Sequence, residues 1–438
     1  MIKNINELYD YIYSFINIEK GQKLNKKTKV IYSLDNIIKI LKCFDNPQSN
    51  QKIIHITGTK GKGSVTLFIS LMLRKLNYNV STFMSPHLVD INERFLFNMK
   101  EITDDELIEL TNQVREVLDE NHLVPTTFEL IFLIFLLFAR RKKSDFLVVE
   151  VGLGGRLDTT NVVDPVLSVI TPISFDHTNI LGRNLKDIAF EKAGIIKRKT
   201  DVVVSRQKKI VRDIIVNKAL ESNSKLYDIS EFFHISSYTS LHDGISFSFE
   251  FNKHLVKDFF LPLLGVHQID NFFTSFLSVY LIDKSIVDVI YAERQFDIKI
   301  KARIEVLQKD PLIIVDVSHN KDSANKLKKA LKDHFPDIKK WIVLSSLGQN
   351  KDYKGFYREL SEIAELIIIT SQSKYKKSNP QHVFKKASEI FRNTILVVDQ
   401  NEAFERAVSF NAPLLVTGSF YLAGPFLEKW KTKKLHIC

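Results

Sequence analysis

The densest run of chemically useful residues is His55-Ile56-Thr57-Gly58-Thr59-Lys60-Gly61-Lys62-Gly63-Ser64. A short apolar stretch ends there in glycines, and apolar residues at helical spacing follow over 64–76. A glycine-rich turn between strand and helix lets backbone N–H groups approach phosphate oxygens, and the helix N-terminus adds its dipole. Gly58, Gly61 and Gly63 supply the close approach, Lys62 reaches the β- and γ-phosphates, and the Ser64 hydroxyl joins a Mg²⁺ shell. Gly63 separates the lysine from the serine, a departure from the common Walker spacing. The run reads as a triphosphate-binding loop.

Other segments fall just beyond the carboxyl ends of strands, where an open α/β sheet binds its ligands. Glu150 lies in the apolar run 146–151, where an acid is costly unless it meets a metal or a partner. Mg²⁺ takes carboxylate, hydroxyl and water oxygens beside triphosphates, so Glu150 reads as a metal ligand. Asp176-His177 follows a strand that ends at Thr171, and His177 is either a ligand or a hydrogen-bonded core histidine. Asp316-Val317-Ser318-His319-Asn320 offers an acid for ribose hydroxyls and a histidine for phosphate chemistry, or else simply a helix N-cap at Asn320. Ser85-Pro86-His87 reads only as a loop.

The elements that must position these groups follow a βα rhythm. Apolar runs at 53–57, 79–84, 146–151 and 166–171 read as strands, the last two buried on both faces. Helical spacing over 103–118 opens on Thr103-Asp104-Asp105-Glu106, a capping residue followed by acids that suit the helix dipole. Alternation then shifts to period two over 232–264, around a turn at Asp243-Gly244, and helix resumes over 265–286. Five more strands are expected at 312–316, 341–344, 366–370, 395–398 and 414–417. The expected fold class is α/β: a P-loop, doubly wound, mostly parallel sheet domain over 1–296, with the antiparallel patch appended to it, and a smaller Rossmann-like domain over 297–438.

A chain of 438 residues suits two domains, and 45% hydrophobic with 26% charged residues is a globular balance. Only Cys43 and Cys438 are present, which is no disulfide framework and points to a reducing, cytoplasmic setting. The opening residues show no signal peptide, and the apolar run 130–139 is too short to cross a membrane. The net charge of +11 comes from lysines scattered along the chain, without the basic-aromatic blocks of a nucleic-acid binder. No nucleic acid or membrane partner is expected, and a monomer is the default.

Taken in order, these segments resemble the folylpolyglutamate synthase/dihydrofolate synthase family, bacterial type, within the Mur ligase superfamily. The resemblance runs over 34–424. Thr57-Gly58-Thr59-Lys60-Gly61-Lys62-Gly63-Ser64 is similar to the family P-loop, and Ser85-Pro86-His87-Leu88 and Glu93-Arg94 to the stretches after it. Glu150-Val151-Gly152-Leu153-Gly154-Gly155-Arg156-Leu157-Asp158-Thr159-Thr160-Asn161 is the most specific match. Glu191-Lys192-Ala193-Gly194, His267-Gln268-Ile269-Asp270-Asn271, Arg303-Ile304-Glu305-Val306 and Thr417-Gly418-Ser419 continue it.

The resemblance implies roles that spacing does not. Thr59 and Lys60 join the ATP loop, and Ser85, Glu150 and His177 match magnesium ligands. Lys192 matches a lysine carried as a carbamate, and Lys62, Lys192 and His319 form the implied catalytic set. Asn271, Arg303 and Asp316 match contacts to adenine, phosphate and ribose. Thr126, Phe128 and Asp158 match the pterin-binding segment, which adds dihydropteroate to folate as an acceptor. The implied activity is ATP-dependent ligation of L-glutamate to a folate carboxylate through an acyl phosphate, with ATP and Mg²⁺ required. A Mur-type ligase acting on another carboxylate and a non-catalytic nucleotide-binding paralogue are the alternatives. Two departures stand out: Val317 where the family has glycine, and a lysine-rich 371–380 in place of an Arg-Ala pair.

Overall fold

The computed structural model describes residues 1–16, 33–349, 351–372 and 378–435. Most of the lysine-rich departure, 373–377, and Cys438 lie outside the described residues.

The apolar runs of the first half become buried strands, and shorter, more exposed strands complete the sheet. They are β1 (Ile53–Thr57), β2 (Val80–Phe83), β3 (Phe95–Phe97), β4 (Lys100–Glu101), β5 (Phe146–Glu150), β6 (Leu167–Ile170), β7 (Asp201–Val204) and β8 (Leu226–Asp228). Their order is β4-β3-β2-β5-β1-β6-β7-β8. β2, β5, β1, β6, β7 and β8 run parallel, while β3 and β4 add an antiparallel edge. β1 lies between β5 and β6, so the loops leaving all three carboxyl ends emerge together at the switch point of the sheet. No strand is expected from the sequence over Asp201–Val204, yet this run pairs with β6 along its whole length.

The helix Thr127–Arg141 carries the core beside this sheet. Its residues from Leu130 to Ala139 are all buried, which is why the run is apolar on every face. A capping box between Thr126 and Glu129 starts the helix, and Arg140 and Arg141 close it against the dipole. Among the described residues no helix is long and apolar enough to cross a membrane. Ile134, fully buried in this cluster, should cost roughly 2–5 kcal/mol when cut to alanine. Denaturant unfolding of Ile134→Ala checks this; a midpoint equal to wild type would contradict the packing.

The remaining strands are β9 (Phe233–Leu241), β10 (Gly244–Phe251), β11 (His254–Leu261), β12 (Glu305–Lys309), β13 (Leu312–Val315), β14 (Trp341–Ser345), β15 (Ala364–Ile369), β16 (Thr394–Leu396) and β17 (Leu414–Thr417). β12 to β17 form one sheet in the order β12-β13-β17-β14-β15-β16, parallel except for β12 at its edge. β12 is only half-buried, so no apolar run marked it.

The chain divides into two units, Met1–His234 with Ile269–Ala292, and Ile235–Gln268 with Glu293–Cys438. This differs from the expected 1–296 and 297–438 division, because the sheet β9–β11 groups with the second unit. Hydrogen bonding explains the grouping: His334 accepts from the Gly265 amide at 2.9 Å and pairs through Nδ1 with the Leu241 carbonyl at 2.6 Å. Phe259 of β11 also packs on Phe296, with ring centroids 6.1 Å apart.

Candidate active site

β1 ends at Thr57 and the chain turns through Gly58, whose φ of +149° and tight seat against Thr171 exclude a side chain. Gly61, at φ +82°, caps the helix Lys62–Lys75, and a β-carbon there would stand 2.4 Å from the Asn271 Oδ1. Asn271 is itself buried. The amides of Thr59 and Lys60 donate to the Pro172 carbonyl at 3.0 and 3.2 Å, so these two donors are spent on holding the loop to β6. The first helical bond runs from the Val65 amide to Gly61, which leaves Lys62, Gly63 and Ser64 as the helix amides without an intrahelical acceptor. That is where this turn offers its anion-binding dipole.

Gly63 has a local reason. A β-carbon there would lie 3.7 Å from the Glu150 carboxylate, so the glycine brings the helix backbone up to that acid. Glu150 is only 4% exposed; its carboxylate stands 3.9 Å from the Lys62 ammonium and accepts the Ser85 amide at 3.2 Å. The structure thus joins Lys62, Gly63, Ser85 and Glu150 at the carboxyl end of β5.

Lys192 enters the same region from the helix Leu185–Ala193. Its buried Nζ donates to the Gly58 carbonyl at 2.7 Å. Burial first, and the nearby Lys62 charge second, push its pKa down from 10.5 to about 7, against the pull of Asp176 and Asp158. The loop after β5 seats this helix. Gly155 packs on the Glu191 and Lys192 carbonyls, the Arg156 amide donates to Glu191 at 2.7 Å, and the Arg156 guanidinium pairs with the Glu191 carboxylate at 2.8 Å.

His177 heads the short helix Thr178–Leu181 at φ +48°, with its side chain 49% exposed and 3.9 Å from Asp176. That exposure removes the core-histidine alternative and leaves an accessible imidazole. Among the described residues no three His, Cys, Asp or Glu side chains form a ready metal cluster. One buried carboxylate beside a phosphate loop nonetheless suits Mg²⁺, which keeps several waters and takes substrate phosphates.

The Ser85 loop is held from behind. The buried Arg94 donates through Nε to His87 Nδ1 at 2.9 Å, His87 Nε2 pairs with the Tyr13 hydroxyl at 3.3 Å, and the Leu88 amide donates to Glu93 at 2.6 Å. Tyr13 lies far from His87 in the chain, so spacing does not encode that contact.

Of the pterin-segment residues, Thr126 caps its helix by accepting from the Glu129 amide. Phe128 packs on Phe83 and leaves no room for a β-carbon at Gly152, which would come within 2.6 Å of its ring. Asp158 is buried and its carboxylate accepts the Leu153 amide at 2.7 Å and the Thr160 hydroxyl at 2.6 Å. Burial lifts its pKa, and the Thr160 and Leu153 bonds oppose that rise.

Arg303, Asp316 and His319 belong to the second unit and form a group of their own. Asp316, just past β13, accepts the amides of Ile304 at 3.1 Å and Ser318 at 2.7 Å, so its carboxylate positions the residue after Arg303. The Arg303 guanidinium lies over the Phe420 ring at 5.2 Å. His319 pairs through Nδ1 with the Val317 carbonyl at 2.9 Å, and Asn320 does cap the following helix, Lys321–His334. Val317 is buried with its amide bonded to Ala302, so the branched side chain serves as core there.

Residues 56–279 match the Mur ligase middle domain and residues 302–420 the Mur ligase, glutamate ligase domain. The dihydrofolate synthase/folylpolyglutamate synthase of Bacillus subtilis (strain 168) is 33% identical over 398 residues, covering 88% of this chain and 92% of its own. The chain belongs to the folylpolyglutamate synthase/dihydrofolate synthase family of Mur ligases. The folylpolyglutamate synthase of Lacticaseibacillus casei is 29% identical over 96% of this chain and 97% of its own. A crystal structure of Mycobacterium tuberculosis folylpolyglutamate synthase complexed with ADP and AMPPCP superposes with a TM-score of 0.84 at 25% identity, over 91% of this chain and 95% of that one. As a family member the chain is an ATP-dependent ligase of two α/β domains.

Proposed function

We propose that the enzyme joins L-glutamate to the carboxylate of a folate, and also of dihydropteroate, as a cytoplasmic monomer. The observation that carries this reading is the convergence of Lys62, Ser85, Glu150 and Lys192 on the P-loop. Such a cluster has charge to neutralise a transferring phosphoryl group, which is what phosphoryl transfer to a substrate carboxylate requires.

In the first step an acceptor carboxylate oxygen bonds to the γ-phosphorus, the bond to the bridging oxygen breaks, and ADP leaves with that electron pair. The glutamate amine then bonds to the acyl carbon, phosphate leaves, and the amine gives up a proton to yield the amide. Lys62 and the amides of Lys62, Gly63 and Ser64 meet the charge that builds on the phosphoryl oxygens. Ser64, Ser85, Glu150, His177 and a carbamylated Lys192 would hold Mg²⁺, which supplies further charge neutralisation when bound. The carbamate forms when neutral Lys192 bonds to the carbon of CO₂ and releases a proton. A depressed lysine pKa and the desolvated pocket around Nζ support this.

Asn271, beside Gly61, is assigned to adenine; Arg303 to phosphate, Asp316 to ribose and His319 to the transferred phosphoryl group. Phe128 is assigned to the pterin, with Thr126 and Asp158 shaping its segment rather than spending further bonds on it.

Product analysis with dihydropteroate and tetrahydrofolate in parallel tests the acceptor assignment. Each is expected to gain a glutamyl residue. Growth of tetrahydrofolate alone would remove the dihydropteroate activity, and growth of neither would reject the acceptor class.

A further inference from the structure

His55 is a fully buried imidazole in a strand whose other residues, Thr57 apart, are apolar, three residues before Gly58. Its Nε2 lies 2.9 Å from the Thr160 hydroxyl. That hydroxyl has one proton, and the 2.6 Å bond to Asp158 Oδ1 uses it. Asp158 also accepts the Thr160 amide on Oδ1 and the Leu153 amide on Oδ2, so its carboxylate is an acceptor throughout. Thr160 must therefore accept from His55, which fixes the imidazole as the neutral tautomer with its proton on Nε2. Burial, with Lys197 adding to it, holds the imidazole neutral by lowering its pKa to about 3. Nδ1 carries the lone pair and has no partner among the described residues.

Two residues further along β1, on the same face of the strand, the Thr57 hydroxyl donates to the Gly154 carbonyl at 2.6 Å. Both polar side chains of β1 thus grip the loop that follows β5. The same loop seats the helix bearing Lys192 through Gly155 and Arg156, and Lys192 reaches back to Gly58, the residue after Thr57. The path is closed: strand, loop, helix and P-loop.

We propose that His55 is a positioning residue: with Thr160 and Asp158 it forms a strut that registers the loop after β5, and through it the Lys192 amine, against the P-loop. The inference rests on the reading of Lys192 as a group that acts in the reaction. It assigns His55 no contact with substrate, nucleotide or metal. The strut fixes where the Lys192 nitrogen stands and leaves the phosphate-binding amides of the following helix untouched.

The test compares His55→Phe and Thr160→Val, which break the strut, with His55→Gln and Thr160→Ser, which keep a donor and a hydroxyl. Steady-state kinetics of the full chain are read with the half-saturating bicarbonate concentration and the ¹³C carbamate signal from ¹³CO₂. The breaking variants should lower kcat by roughly 10- to 100-fold with KM for ATP little changed, as loss of an outer-shell partner does, and raise the bicarbonate requirement. The conservative variants should recover most of kcat. Thr160→Val is nearly isosteric, so it carries the test if His55→Phe does not fold. A wild-type kcat and bicarbonate requirement in folded Thr160→Val, with only its Tm lowered, would overturn the proposal. Absence of a carbamate signal in the wild type would reject the carbamate reading alone, and the kcat loss at unchanged KM for ATP would still decide the strut.

Discussion

Lys62→Ala is expected to lower kcat by about three orders of magnitude while the protein keeps its fold, an effect at the upper end of removing one preorganised charge from a phosphoryl-transfer site. Lys62 is the cation that the helix start presents beside the P-loop, and its ammonium stands 3.9 Å from Glu150. Its side chain is 19% exposed, so truncation leaves neither a core cavity nor a stranded buried cation. Glu150 retains the Ser85 amide. The loss should therefore fall on turnover rather than on Tm. Single-turnover ADP formation with a folding check by circular dichroism separates the two, and wild-type turnover in the variant would remove Lys62 from the mechanism.

Lys192→Ala is the second large effect. The truncation deletes a buried amine that donates to Gly58, so it costs both the P-loop contact and the anionic group that a carbamate would provide. Turnover should fall by about 10²-fold or more and recover in part with added short carboxylates that can occupy the vacated space, in line with electrostatic losses at preorganised sites. The wild type makes a companion expectation with a definite sign. Carbamate formation needs the neutral amine, and the pKa of Lys192 is lowered to about 7. The bicarbonate concentration needed for half activity should then rise as pH falls below 7, where protonation removes the nucleophile, and level off above it. A fully active Lys192→Ala, or a bicarbonate requirement independent of pH across 6 to 8, would contradict the assignment.

Much of the framework was legible because parallel strands must be apolar on both faces. β1, β5 and β17 fall where their apolar runs place them, and the Gly58–Gly63 turn was recognisable from glycine, lysine and serine in one strand-helix junction. Glu150 was legible for a related reason, since an acid ending a buried strand needs a partner. Lys192 was not. Nothing local distinguishes it from a solvated helix lysine, and the contacts that seat its helix come from Gly155 and Arg156, more than thirty residues earlier in the chain. The engagement of the Thr59 and Lys60 amides by Pro172 is likewise a contact across two strands that spacing does not encode. The affiliation of β9–β11 escaped because a period-two pattern marks a sheet and says nothing of its neighbour; His334, remote in sequence, decides it. His55 did leave a signal, as a titratable residue inside a buried strand, but its meaning needed Thr160 beside it.

ADP release measured with each substrate omitted in turn decides whether this protein is a glutamate ligase of pterin acceptors. ADP should form only when ATP, L-glutamate and either tetrahydrofolate or dihydropteroate are all present, with amide product equal to ADP. Nucleotide binding without ADP formation under any combination, or ADP formation indifferent to glutamate and to both pterin acceptors, would contradict it.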